Sequence, residues 1–123
     1  MKTIGSFKDN LKRKMDQYVH YIFKISRKFP REELYGATSQ IRRAALSVIL
    51  NYIEGFARRR PAVQLNFLET SYGSLKESKY LVYFAYKENW ISQEEDKGAL
   101  GQAEEIGAML WTEITNLEKR EKL

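Results

Sequence analysis

The 123-residue sequence contains no cysteine and a single histidine, His20. Without cysteine the chain forms neither disulfide bonds nor thiolate-bound metal sites, and one histidine does not make a histidine cluster. These two absences exclude most zinc chemistry. The sequence therefore predicts no metal site and no cofactor.

Long apolar runs are also missing. The first segment, MKTIGSFKDNLKRKMDQ, has no uninterrupted apolar core, and no later run approaches the roughly 18 apolar residues of a membrane span. We therefore expect no secretion signal, no contact with a membrane and a cytoplasmic protein.

Groups of residues that carry out catalysis are absent as well. Glu32 and Glu33 are adjacent instead of converging, and His20 lies in a core-bearing segment without an identified acidic or nucleophilic partner. Neither a phosphate-binding glycine pattern nor a Glu-x-x-His repeat occurs. The sequence predicts that the protein is not an enzyme.

Proline is scarce, and its two positions divide the chain. Pro30 and Pro61 each follow a basic stretch and are predicted to open a new helical segment. Apolar residues recur at steps of three and four within the segments, and Ser92 with Glu95 forms a capping box. The predicted helices span roughly 7–28, 37–59, 62–89 and 93–119. With weak strand signals, the chain is predicted to form one domain over residues 1–123, an all-α antiparallel up-down four-helix bundle.

The charges are unevenly distributed along the chain. Residues 1–60 hold fourteen Lys/Arg and five Asp/Glu, a balance of +9, whereas residues 61–123 hold seven and eleven, a balance of −4. This asymmetry indicates either an anionic partner for the first half or charge pairing between the halves. The pairing alternative involves the acidic side chains of the fourth helix, namely Glu94, Glu95, Asp96, Glu104 and Glu105.

Basic side chains cluster in three places in the first half. The stretch EGFARRRPA, residues 54–62, is either an ordinary helix end or an anion-binding site. Arginine suits phosphate because its planar fork donates hydrogen bonds in pairs. The candidate nucleic-acid-binding residues are Lys12, Arg13, Lys14, Arg42, Arg43, Arg58, Arg59 and Arg60. Three further aromatic residues at helical spacing either stack on bases or belong to a core or interface: Tyr80, Tyr83 and Phe84.

The second predicted helix is apolar over more of its circumference than one bundle requires. One face carries Ile41, Ala44, Ala45, Val48, Tyr52 and Gly55. A separate stripe of Leu46, Leu50 and Ile53 indicates either a wide core or, as we favour, an interface between subunits. A polar row follows the same helix, formed by Arg43, Ser47, Asn51 and Glu54. This row is either a solvated or hydrogen-bonded stripe, or a place where Arg43 pairs with a carboxylate of another segment.

Several segments together carry a family resemblance. The stretch KFPREELYGATSQIRRAALSV, followed by Asn51 and IEGFARR at 53–59, resembles the four-helix-bundle family named for 23S rRNA intervening sequences, also called S23 ribosomal proteins. GSLKE at 73–77 and ISQEE at 91–95 resemble its third-helix segment and the start of its fourth. The match covers roughly residues 7–117. The sequence departs from the family pattern at Ile49, Leu50 and Ile53, which predicts a straighter and more apolar second helix.

The resemblance implies a bacterial, all-helical protein that assembles into a ring-like homo-oligomer, commonly a pentamer. One branch is similar to accessory proteins of diversity-generating retroelements, which are basic pentamers that bind a reverse transcriptase and nucleic acid. We therefore expect a non-catalytic oligomer that associates with structured RNA through its basic surfaces. The alternative is a structural adaptor oligomer that binds a protein partner, such as a reverse transcriptase.

Overall fold

The computed structural model describes residues 6–122 and contains four long helices. Helix α1 spans Phe7–Ser26, α2 spans Ala37–Phe56, α3 spans Pro61–Lys87 and α4 spans Gln93–Glu121. A single 3₁₀ turn, Arg31–Glu33, lies between α1 and α2. Within the described part of the chain there is no strand, so the predicted all-α four-helix bundle is confirmed.

The four helices are arranged in chain order around a common core. Each helix contacts its two neighbours, and α1 closes the bundle by packing on α4. The start of α1, the α2–α3 connection and the end of α4 lie together, and we call this the α2–α3 end. The opposite α1–α2 end holds the connection from α1 to α2 and the turn from α3 to α4. Short connections between neighbouring antiparallel helices produce this arrangement.

The core consists of residues at the predicted helical spacing. On α1, each of Leu11, Met15, Tyr18, Val19, Ile22 and Ile25 is buried. The face of α2 predicted to pack inward is buried throughout, from Ile41 to Gly55. In the sequence, the spacing of Leu100 with Ala103 and Ile106 predicts that Leu100 begins the inward stripe of α4, but Leu100 is exposed and Ala99 is buried in its place. The stripe on α4 therefore begins one residue earlier than predicted.

Two tyrosines cross the core between helices that are diagonal to each other. The hydroxyl of Tyr18 on α1 lies 2.8 Å from Ser78 Oγ on α3. The hydroxyl of Tyr52 on α2 donates to Glu113 Oε1 on α4 at 2.6 Å. Burial raises the pKa of Tyr18 to about 12, against a smaller lowering effect of its bond to Ser78. Because a buried hydroxyl needs a partner, these two bonds favour this pairing of helices over other arrangements.

The helix starts match the predicted spans to within one residue, whereas the C-terminal ends differ from them by two or three residues. Helix α2 ends at Phe56 instead of residue 59, because the amides of Ala57 and Arg58 bond to carbonyls three residues back. Pro61 then restricts Arg60 to extended backbone, with φ −88° and ψ 130°. Pro61 is the first residue of α3, as predicted, whereas Pro30 precedes only the 3₁₀ turn and α2 begins at Ala37.

The other ends follow similar local rules. Three successive amides after α1 also bond to carbonyls three residues back, so α1 stops at Ser26 instead of residue 28. After α3, Asn89 adopts a left-handed conformation with φ 63°, and the amides of Asn89 and Trp90 bond to Tyr86 and Ala85. This Schellman motif ends α3 at Lys87 instead of residue 89. Helix α4 starts at the predicted capping box and continues to Glu121, two residues beyond residue 119.

Helices α2 and α3 share the most extensive contact in the bundle. Small polar residues line this contact: Ser47 Oγ lies 2.8 Å from Ser74 Oγ, and Ser71 Oγ donates to the carbonyl of Val48. Asn51 Nδ2 donates to Ser47 Oγ at 2.8 Å. Two members of the polar row on α2 therefore belong to a hydrogen-bond network between helices, which is one of the two alternatives the sequence left open.

Candidate nucleic-acid interface

Four of the predicted basic residues lie at the α2–α3 end. Arg58, Arg59 and Arg60 occupy the connection between α2 and α3, and all three are exposed. Lys12 on α1 lines a cavity of about 340 Å³ together with Ile53 and Ala57 at the end of α2. Residues far apart in the sequence are thus brought to one end of the bundle because α1 and α2 are antiparallel neighbours.

These basic side chains differ in how they are held. Arg58 forms an ion pair with Glu54, the last member of the polar row, and its guanidinium lies 5.2 Å from the ring centroid of Phe67. Lys12, Arg59 and Arg60 make no hydrogen bond or ion pair within residues 6–122. Their charge is therefore available to an anion in solution.

The two remaining α1 candidates already have partners. Lys14 Nζ lies 3.1 Å from Glu105 Oε2 on α4. Arg13 Nη1 donates to Asn10 Oδ1 at 3.0 Å on the same helix. Lys14 therefore contributes to holding α1 against α4, and less of its charge is exposed than the sequence predicted.

Arg42 and Arg43 lie toward the α1–α2 end, away from the arginine run. Arg42 Nε donates to Ser26 Oγ at 2.8 Å, and its guanidinium lies 4.9 Å from the Phe23 ring centroid. Arg42 therefore ties α2 to the end of α1. Arg43 is exposed and has no carboxylate within ion-pair distance in the described part of the chain. The eight predicted residues form two separate groups, one toward each end of the molecule.

Part of the charge asymmetry is balanced within the chain. Lys28 Nζ lies 2.6 Å from Glu95 Oε2, and Lys14 pairs with Glu105, so the basic first half does contact the acidic fourth helix. Burial disfavours the charged form of Glu95, but hydrogen bonds from Lys28 and Ser92 outweigh it and lower the pKa of Glu95. Charge pairing between the halves and an anionic partner for the first half both remain as explanations of the asymmetry. The pairs described here do not include Arg43, Arg59 or Arg60.

The second apolar stripe of α2 lies on the surface of the single chain. The exposed fractions are 38% for Leu46, 57% for Leu50 and 47% for Ile53. Leu34 and Tyr35 join Leu46 and Leu50 in lining a groove of about 670 Å³. The wide-core alternative is therefore excluded, and the subunit interface stays a prediction.

The aromatic residues on α3 form a second exposed surface. Tyr80 and Tyr83 are 61% and 50% exposed, and their ring centroids lie 6.4 Å apart. Phe84 adjoins them and contacts Trp90 at a centroid distance of 5.7 Å. These three side chains are not part of the core, so stacking on bases or contact with a partner are the alternatives that remain.

A buried carboxylate with a half-exposed lysine partner was not predicted from the sequence. Glu113 on α4 is buried, receives the Tyr52 hydroxyl, and lies 3.0 Å from Lys8 Nζ. Burial, and then the hydrogen bond to Glu113, raise the pKa of Tyr52 above its ordinary value. The sequence did hold a signal, because Glu113 stands at core spacing between Leu110 and Leu117.

Two kinds of feature are absent from the described residues. No three His, Asp or Glu side chains in residues 6–122 are grouped so that they could hold a metal ion. In the same residues, no helix combines the length and the apolarity needed to cross a bilayer.

Comparison with known proteins identifies the family. The sequence model described as "23S rRNA-intervening sequence protein" matches residues 9–112, most of the chain. The chain belongs to the 23S rRNA intervening sequence protein family. No curated protein matches the sequence significantly.

A solved structure shares the fold. It is the crystal structure of a protein with unknown function from the S23 ribosomal protein family of Bacteroides thetaiotaomicron. The TM-score is 0.82 at 19% identity, and the alignment covers 89% of this chain and 99% of the other. At this identity the similarity supports the bundle fold of the intervening sequence proteins and does not identify a ligand.

Proposed function

We propose that this protein is a non-catalytic homo-oligomer that associates with structured RNA through the phosphate backbone. The observation that carries the proposal is the pair Arg59 and Arg60 at the α2–α3 end, exposed and without a carboxylate partner in residues 6–122. Lys12 adds a third cation near the same end, also without an ion-pair partner in residues 6–122. An RNA backbone is a suitable ligand because it presents closely spaced phosphates to several cations at once.

Self-association strengthens this interface. A ring of identical subunits would present the same arginine run once per subunit, so that one RNA molecule contacts several copies. The exposed stripe Leu46, Leu50 and Ile53 supports such assembly, because adjacent exposed apolar side chains on one helix are typical of an interface. Binding of this kind tolerates different sequences and weakens steeply with salt.

The experiment replaces Arg58, Arg59 and Arg60 together with glutamine and titrates a structured RNA at 50–200 mM salt. With six or more phosphates engaged per oligomer, wild-type affinity is expected to fall by about 10³ over this salt range. The triple variant is expected to bind at least about tenfold more weakly at low salt and to show a shallower salt slope.

A matched control removes the same charge elsewhere. Lys24, Lys87 and Lys97 are exposed lysines toward the α1–α2 end, and their joint replacement by glutamine also lowers the net charge by three. This control is expected to retain most of the affinity. Equal losses of RNA affinity in both variants would show that only the overall charge matters. Unchanged RNA affinity of the arginine variant would indicate that residues 58–60 are an ordinary helix end.

A second function is favoured by the groove along α2. A structural adaptor that binds a protein would use Leu34, Tyr35, Leu46 and Leu50, which line a groove of about 670 Å³. All four side chains are exposed, and adjacent exposed apolar side chains are typical of protein contacts. Polyanion binding that stays flat across salt, with capture of a protein partner that Tyr35→Ala abolishes while the oligomer mass is unchanged, would select this function over RNA association.

A further inference from the structure

Three arginines from three separate elements converge on one cavity at the α1–α2 end. Arg27 follows α1, Arg31 begins the 3₁₀ turn and Arg42 lies in α2. They line a cavity of about 310 Å³ that has no carboxylate among its lining residues. Neither Arg27 nor Arg31 lies in a basic run with Arg42, and only the bend between α1 and α2 brings the three residues together.

The cavity also presents polar groups that are already oriented. Ser26 is buried, donates its hydroxyl proton to the carbonyl of Phe23 and accepts Arg42 Nε at 2.8 Å. This bond fixes the guanidinium while leaving Arg42 Nη1 without a partner in the described residues. Thr38 is buried beside it, and its hydroxyl makes no hydrogen bond within residues 6–122. Both groups can therefore donate into the cavity.

Nearby carboxylates do not neutralise these arginines. Glu33 Oε1 accepts the amide of Ala37 at 3.2 Å and so caps the start of α2. Glu95 is held by Lys28. Arg27 and Arg31 are exposed and Arg42 is half-buried, and none of the three forms an ion pair with a described residue. An anion in this cavity would therefore meet three arginine side chains and no competing carboxylate.

We propose that this cavity binds a phosphate group bearing two negative charges. Planar guanidinium forks match phosphate oxygens and hold them with paired, charge-assisted hydrogen bonds. The cavity volume lies at the lower end of the range for small-ligand sites, about 300–1,000 Å³. Phe29 and Pro30 on its wall offer apolar contact to a carbon framework attached to the phosphate. The ligand is inorganic phosphate, a small phosphate ester or the terminal phosphate of a nucleic acid, which share this chemistry.

This site is independent of the interface proposed above. Arg58, Arg59 and Arg60 lie at the opposite end of the bundle. The backbone of RNA carries one charge per phosphodiester, whereas a terminal phosphate carries nearly two at neutral pH. The cavity therefore favours an end or a small ester over the interior of a strand.

The test measures inorganic phosphate binding to the full chain by calorimetry. The wild type is expected to bind phosphate saturably with one site per chain. Replacing Arg27 and Arg31 with glutamine is expected to weaken binding about tenfold or more, because two charged donors are lost. Arg42 is retained because it joins α1 to α2. Thermal unfolding and backbone amide spectra of the variant verify that the bundle is intact.

Two comparisons separate this site from the RNA interface and identify the source of the phosphate. The Arg58, Arg59 and Arg60 triple glutamine variant is expected to bind inorganic phosphate as the wild type does, even if it loses RNA. Oligoribonucleotides of one sequence with a 5′-phosphate or a 5′-hydroxyl are then compared. Tighter binding of the phosphorylated form assigns the site to nucleic-acid ends, and equal binding assigns it to free phosphate or small esters. Absence of saturable phosphate binding by the wild type up to about 10 mM, or an unchanged Kd in the Arg27 and Arg31 variant, overturns the proposal.

Discussion

At the scale of single residues, the two tyrosines that cross the core offer a direct comparison of neutral and charged hydrogen bonds. Tyr52 donates to the buried Glu113 carboxylate at 2.6 Å, whereas Tyr18 lies 2.8 Å from the Ser78 hydroxyl. Tyr52→Phe is expected to cost about 1.5–3 kcal/mol of unfolding free energy, because it removes a bond to a buried charge.

Tyr18→Phe is the matched control for this prediction. It is expected to cost only about 1 kcal/mol, because Ser78 keeps its bond to the carbonyl of Leu75. Urea unfolding of both variants measures the difference. A cost for Tyr18→Phe equal to or above that for Tyr52→Phe would contradict the importance of the charged pair.

Glu95 provides a prediction for pH dependence. Its pKa in the folded chain is lowered from the ordinary value of 4.5, so the unfolded chain binds a proton more readily than the folded chain. The stabilisation is complete above the unfolded pKa and is lost as the pH falls through the folded pKa. Glu95→Gln is therefore expected to flatten the loss of stability below about pH 4.5.

The neighbouring Glu94 serves as the control for this measurement. It is exposed and makes no ion pair with any described residue, so Glu94→Gln is expected to alter the acid limb of the stability curve less than Glu95→Gln does. Thermal unfolding monitored from pH 3 to pH 7 makes the comparison. An acid limb that Glu95→Gln does not alter would show that other carboxylates determine it.

At the scale of elements, the contact between α2 and α3 depends on a glycine. A Cβ on Gly55 would lie 2.8 Å from Leu68 Cδ1 and 3.3 Å from the backbone oxygen of Gln64. Gly55→Ala is expected to force the helices apart and to destabilise the fold by about 1–3 kcal/mol.

Gly73 on α3 gives the opposite expectation and so the matched control. A Cβ there would meet nothing within 4 Å. Gly73→Ala is therefore expected to stabilise the protein by up to about 1 kcal/mol, because alanine favours a helix interior. Chemical unfolding of both variants is the measurement, and a neutral Gly55→Ala would argue against close packing at this contact.

Helices and their buried faces were predictable from the sequence, whereas several ends were not. The stripe from Leu11 to Ile25 on α1 is buried as its spacing predicted. The end of α3 depends on Asn89 taking a positive φ, and the end of α2 depends on a tight turn before Pro61. Spacing records which face is apolar, but helix ends depend on hydrogen bonds among individual backbone groups.

At the scale of the whole molecule, the exposed stripe on α2 predicts self-association. Leu50 is the most exposed residue of Leu46, Leu50 and Ile53. Light scattering of the wild type is expected to give a multiple of the 14.5 kDa chain mass, with five subunits favoured. Leu50→Glu is expected to shift the mass to a single chain, because burying an unpaired carboxylate costs several kcal/mol.

Val63→Glu is the control for the assembly prediction. Val63 is an exposed apolar residue on α3 outside the stripe, so its replacement is expected to keep the wild-type mass. Circular dichroism verifies that both variants remain helical. A wild type that scatters as one chain would exclude the subunit interface.

The candidate sites were predictable only in part. The sequence pointed to Arg58, Arg59 and Arg60 because they are consecutive, and Arg59 and Arg60 form no ion pair with any residue that the structure describes. The same reasoning selected Lys14 and Arg42. In the fold, however, Lys14 forms an ion pair with Glu105, and Arg42 donates a hydrogen bond to Ser26. Availability of a charge depends on which partner the fold brings near, and that partner lies on another helix.

The sequence by itself determined the helical class, the inward faces and the absence of thiol chemistry, because these follow from residue type and from spacing within one segment. Only the tertiary structure decided which polar groups meet: Glu113 with Tyr52, Lys28 with Glu95, and Arg27 and Arg31 with Arg42 around one cavity. The spacing of residues along a helix determines only the directions in which their side chains point from that helix. The distances between side chains of different helices depend on how the connections turn and how closely the helices pack.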